Sequence, residues 1–116
     1  MKKFNLPHKK PVRFAQAIIE KDENSALVRV EFETTPSLAM VVESAAQSVG
    51  AFGDGGVKVG YLVSMSKVEL LSKLHSLHYD MKIEKEHTFD SLNYINFKLY
   101  EEKEIVATGT FVLMVP

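Results

Sequence analysis

The sequence predicts an α+β domain in which one long apolar helix is wrapped by an antiparallel β-sheet. Three observations carry this. Residues 37–52 are rich in Ala, Val and Met, with Glu43 and Gln47 as the only strongly polar side chains. Two strand-like stretches come before that segment. Almost everything after Gly53-Asp54-Gly55-Gly56 is strand-like again. Strands in series favour an antiparallel sheet over crossover-linked parallel pairs.

The first strand is expected from Arg13 to Glu20, and Asp22-Glu23-Asn24-Ser25 then forms a turn. From Ala26 to Glu33 the period is two: Ala26, Val28, Val30 and Phe32 face one way, Leu27, Arg29, Glu31 and Glu33 the other. The period changes at Thr34-Thr35-Pro36. Thr35 can cap a helix whose first turn accepts Pro36. The helix then runs from Ser37 to Phe52 and stops at the glycines. An apolar surface on nearly all sides is expected of a helix buried on most sides. Glu43 and Gln47 are four residues apart and so share a face.

The remainder divides into a long strand over Val57–Leu71 with room for a bend, a connection over Lys73–His78, and three alternating segments. Tyr79, Met81 and Ile83 mark the first, and Ile95, Phe97 and Leu99 the second. After the turn Glu101-Glu102-Lys103-Glu104, the residues Ile105, Ala107, Gly109, Phe111, Leu113 and Val115 form the face of the third. One sheet around one helix leaves an outer face and edges open, so dimerisation is expected.

The 116 residues suit one domain, and 46% hydrophobic content is enough for a core. With no cysteine there is no disulfide framework and no thiolate chemistry, which fits a reducing cytoplasm. A net charge of −1 gives no global attraction to nucleic acid or membrane. No apolar run reaches membrane-spanning length, and the charged start is followed by no signal-like apolar stretch. Charge is nonetheless uneven. Lys2, Lys3, Lys9, Lys10 and Arg13 fall in residues 1–19, which hold no acid. That segment is either a solubilising terminus or a docking patch for an acidic partner.

Two segments carry a family resemblance. Leu6-Pro7-His8-Lys9-Lys10-Pro11 resembles the opening of bacterial 3-hydroxyacyl-acyl-carrier-protein dehydratases of the hotdog fold. Glu43-Ser44-Ala45-Ala46-Gln47, followed by Gly50, is similar to the motif of their central helix. Gly60-Tyr61-Leu62-Val63 and the closing Thr110–Pro116 resemble the branch found in aryl-polyene biosynthesis. The resemblance spans nearly the whole chain. It implies a cofactor-free protein that handles acyl thioesters on an acyl carrier protein or coenzyme A, working as a homodimer or as a heterodimer with another hotdog subunit.

Two departures accompany the resemblance. The better-known dehydratases carry a catalytic histidine in a loop before the helix. Here that stretch is Val30-Glu31-Phe32-Glu33-Thr34-Thr35-Pro36, with no histidine. The acidic residue usual near the end of the first strand is replaced by Gln16.

The chemistry implied by the resemblance needs a base for the C2 proton, an acid for the C3 hydroxyl and donors for the thioester oxygen. Glu43 is the foremost candidate, because a carboxylate in an apolar helix is costly unless paired, protonated or used. The alternative is a structural Glu at a subunit contact. Gln47 either orients Glu43 or a water, or is a satisfied buried amide. His8 either supplies the missing imidazole or orients the first strand. His75 and His78 are three apart but lack a third ligand at a metal spacing, so no metal is expected. His87 is expected to be solvated. Three activities fit: a 3-hydroxyacyl thioester dehydratase, an acyl thioesterase with Glu43 activating water, or a non-catalytic subunit that binds acyl chains or pairs with an active paralogue.

Overall fold

The computed structural model describes residues 14–49 and 61–114, together with the backbone of Lys2 and Lys3. Its elements run β1 (Lys2–Lys3), β2 (Ala15–Lys21), β3 (Ser25–Glu31), α1 (Leu38–Ser48), β4 (Tyr61–Leu70), β5 (His78–Phe89), β6 (Leu92–Glu101) and β7 (Glu104–Met114). The strands form one antiparallel sheet in the order β1-β2-β3-β5-β6-β7-β4. The helix packs on the inner face against β2, β3 and β5.

The alternation read from the sequence sets that inner face. Ala26, Val28 and Val30 of β3, Tyr79, Met81 and Ile83 of β5, and Ile95, Phe97 and Leu99 of β6 are all buried. Register keeps them in rows, with Val28 opposite Met81 and Met81 opposite Leu99. Each large apolar side chain removed from water contributes about 1.5–3 kcal/mol. The rows are therefore the main source of stability and fix the register, since a one-residue slip would expose all of them.

β7 departs from the expected face at its start. Leu99 pairs with Ala107 but Tyr100 pairs with Ile105, which leaves Val106 as an extra residue. This bulge turns Val106 into the core and puts Ile105 in line with outward-facing Tyr100. Val106 is also an anchor, because its carbonyl accepts the N–H groups of Leu71 (2.8 Å) and Ser72 (3.3 Å) at the end of β4. β4 is bent as well. Its register against β7 shifts between Leu62 and Ser64 and between Ser66 and Glu69, and Lys67 has φ 54°. In β5, Glu86 is the extra residue between Lys85 and His87. The β5–β6 pairing extends to the turn Asp90-Ser91, well past the alternation visible in the sequence.

Gly109 occupies a tight position in β7. A Cβ there would lie 2.4 Å and 2.7 Å from ring atoms of Phe97 and 3.1 Å from Val68 Cγ2. The cross-strand Phe97 ring lies over the bare glycine backbone and fills the space a side chain would take.

The helix is shorter than its apolar segment suggests and starts differently. Ser37, not Thr35, is the N-cap: its Oγ accepts the N–H of Met40 at 3.2 Å. Such a cap contributes about 1 kcal/mol. Val49 is the C-cap, so the helix stops at Ser48; the glycine cluster expected to end it lies outside the described residues.

Candidate functional site

The three sequence-derived site residues have different placements. Glu43 sits on an exposed face of α1, with Leu38 and Ala39 also exposed one turn earlier. The expectation of burial on most sides therefore holds for only part of this helix. Val41, Val42, Ser44, Ala45, Gln47 and Ser48 are buried, whereas the Ala39–Glu43 side faces outward. Among the described residues the sheet covers one side of α1, and Leu38, Ala39 and Glu43 are exposed on the other.

Gln47 is buried and bound to backbone. Its Oε1 accepts the N–H of Phe14 at 2.8 Å and of Ala15 at 3.1 Å, both at the start of β2. The glutamine oxygen thus serves two N–H groups at the start of β2, a requirement that burial would make costly to leave unmet. The Phe14 carbonyl accepts the Glu31 N–H (2.9 Å), and Gln16 Nε2 donates back to it at 3.3 Å. Gln47 thus ties the helix to β2. His8 and the basic residues Lys9, Lys10 and Arg13 lie outside the described residues; Lys2 and Lys3 pair through their backbone with Ile18 and Ala17.

Beneath α1 is an aromatic layer that the sequence did not single out. Phe14 and Phe32 have ring centroids 4.9 Å apart, and Phe32 meets Tyr79 edge-on at 5.9 Å. The Tyr79 hydroxyl accepts the Ser76 N–H (3.0 Å) and donates to the Ser76 carbonyl (2.8 Å), holding the β4–β5 connection. Burial holds the phenol above its ordinary value, and the Glu101 carboxylate adds to the rise against the Ser76 hydrogen bond. Ser44 Oγ donates to the Val41 carbonyl and Ser48 Oγ to that of Ser44, each at 2.7 Å. These two buried hydroxyls are satisfied within the helix, and their small size allows close packing on the sheet.

The remaining histidines lie away from Glu43. His78 Nδ1 is 3.4 Å from Glu31 Oε1 and His75 Nε2 is 3.4 Å from Glu101 Oε2, both at the end of the sheet. His87 is exposed and stacks on Tyr94 with centroids 4.2 Å apart. Among the described residues no group of three His, Cys, Asp or Glu is arranged to hold a metal. A groove of about 640 Å³ lies on the outer sheet face over Leu27, Asp80, Lys82 and Tyr100. Of its lining, Asp80 accepts from Arg29 Nε at 3.1 Å.

One helix laid across a long antiparallel sheet is an arrangement shared with solved proteins. The dehydratase heterocomplex ApeI:P from Xenorhabdus doucetiae superposes with a TM-score of 0.79 at 13% identity, covering 96% of this chain and 88% of that one. The chain has the hotdog fold. Two further structures share this fold. A candidate thioesterase related to phenylacetic acid degradation, from Ralstonia eutropha, matches with a TM-score of 0.67 at 17% identity over 85% of this chain and 83% of that one. The Escherichia coli PaaI protein of the phenylacetic acid degradation operon matches with a TM-score of 0.66 at 12% identity over 84% and 81%. No protein-family model and no curated protein sequence matches this hotdog chain. Among the described residues, no helix is long and apolar enough to cross a membrane.

Proposed function

We propose that this hotdog protein handles acyl thioesters as a 3-hydroxyacyl thioester dehydratase, with Glu43 as its acid–base group. The observation that carries the reading is the position of Glu43: a carboxylate on the open side of the central helix, beside exposed Leu38 and Ala39. A carboxylate exposed at such a place can be reached by a substrate or a second subunit. In this reading the Glu43 carboxylate takes the C2 proton of the bound thioester. The C3–oxygen bond then breaks, and the hydroxyl leaves as water with a returned proton, giving the enoyl thioester. Gln47 keeps the helix seated on β2, and His8 is the candidate imidazole in place of the absent loop histidine. The acyl group arrives on a carrier protein or coenzyme A, the basic amino-terminal segment favours an acidic carrier, and the compartment is the cytoplasm. A second hotdog subunit docks on the helix near Glu43 or on the edge of β4, where Met65 is 55% exposed.

Two observations favour a second reading. The stretch Val30–Pro36 has no histidine, and the ApeI:P structure is a heterocomplex. Both suit a non-catalytic subunit that completes an active paralogue.

The deciding experiment incubates the protein, alone and with a partner hotdog subunit, with 3-hydroxyacyl thioesters of several chain lengths on both carriers. An enoyl thioester is the expected product. A free thiol would reassign the protein as a thioesterase. Inactivity alone, with activity raised in the partner, would establish the second reading. Sedimentation at micromolar concentration is expected to show a dimer.

A further inference from the structure

The start of α1 is closed by a methionine. Capping boxes pair an N-cap Ser or Thr with a Glu or Gln three residues on, whose side chain reaches back to the N-cap N–H. Here Ser37 plays the first part, and Met40 takes the place of the acid or amide. The Ser37 N–H points at Met40 Sδ at 3.5 Å, while the Met40 N–H donates to Ser37 Oγ at 3.2 Å. A thioether sulfur is a weak acceptor, so this N–H is closed by the weakest group that could serve.

The surroundings of the sulfur matter as much. Met40 is half-buried: it packs against the core on one side and opens to solvent on the other. Ser37, Leu38 and Ala39 around it are exposed. Met81, by contrast, is fully buried, while Met65 and Met114 are exposed on β4 and β7 and make no such contact with a helix end.

We propose that Met40 is an oxidation site whose product tightens the start of α1. A peroxide is the oxidant. The sulfur lone pair attacks one peroxide oxygen, the O–O bond breaks, and the sulfur, oxidised by two electrons, keeps that oxygen while the other leaves as water. The sulfoxide oxygen is a strong acceptor placed beside the Ser37 N–H and the unsatisfied donors of the first helical turn. The partial positive charge of the helix start favours it further. The polar oxygen turns to the solvent side, leaving the buried methylene groups in place. The helix that carries Glu43 thereby gains a cap that responds to peroxide.

The test uses the full chain with Met65→Leu and Met114→Leu, treated with hydrogen peroxide, and peptide mapping to locate the added oxygen. With oxygen on Met40, exchange of the Ser37 amide is expected to slow by about fivefold, the equivalent of a net hydrogen bond of ~1 kcal/mol. Met40→Gln restores the usual capping-box residue and should slow the same amide without oxidant. Met40→Leu should abolish the peroxide effect. Faster or unchanged exchange at Ser37 with Met40 oxidised would overturn the proposal. So would peroxide treatment that oxidises Met65 and Met114 in the wild type and never reaches Met40.

Discussion

The Phe14 N–H donates to Gln47 Oε1 at 2.8 Å, a contact between the central helix and the beginning of β2 across 33 positions of sequence. The adjacent Ala15 N–H donates to the same oxygen. Removing that oxygen takes an acceptor from both N–H groups. Gln47→Met is expected to destabilise the protein by about 1–3 kcal/mol, the usual cost of one unmet buried group, whereas Gln47→Glu keeps an acceptor and should lose less. Urea midpoints of both variants provide the check. Equal losses would mean that volume, and not the oxygen, is what the site requires.

Glu43→Gln should leave stability within about 0.5 kcal/mol, as expected for an exposed position in the single chain, and abolish turnover of the thioester. The amide keeps the shape and cannot move the proton. Thermal melting beside product analysis separates the two effects. A large stability loss without a specific catalytic one would mark Glu43 as structural. His8→Ala is the companion measurement, in which a comparable rate loss makes His8 the partner of Glu43.

Gly109→Ala should cost about 1–3 kcal/mol, the usual penalty of overpacking, because its methyl group would fall inside the Phe97 ring contact. Phe97→Leu in the same chain should recover part of the loss, so the two changes together should cost less than the sum of each alone. Additive losses in a denaturation series would show that the ring does not set the limit.

Tyr79 provides a pH dependence. Its folded-state value is raised above 10.0, mainly by burial. The fold therefore favours the neutral phenol. That stability is fully present below about pH 10 and is lost as pH rises through the folded value, since the unfolded chain gives up its proton first. Phenolate absorbance should show one tyrosine fraction ionising only above the ordinary value, and Tyr79→Phe should remove that fraction.

The architecture was readable because its core follows a period of two: Val28, Met81, Phe97 and Phe111 fall where alternation puts them. Val106 was not, because a bulge is a property of two paired strands and leaves no mark in one of them. Thr35 is the cap that the sequence suggests because Pro36 after it suits a first helical turn, and Ser37 gives no competing signal because a methionine, three residues on, is not an expected capping partner. For the site, Gln47 was identified as important, but only the fold shows that its oxygen faces Phe14 and Ala15. The side of the helix on which Glu43 is exposed depends on how far the sheet wraps it, which no local pattern encodes.

The sheet order has a consequence for synthesis. β4 is made before β5 and β6, yet among the described strands its partner in the sheet is β7, made after both. At about 5–20 residues per second, β4 waits on the ribosome for seconds with both edges unsatisfied, carrying Met65, Leu70 and Leu71, which remain exposed even in the finished chain. Its two register breaks and the kink at Lys67 interrupt any long regular edge it could offer to another nascent chain. The irregularity of this strand is thus a safeguard during the interval when the protein is most open to misassembly.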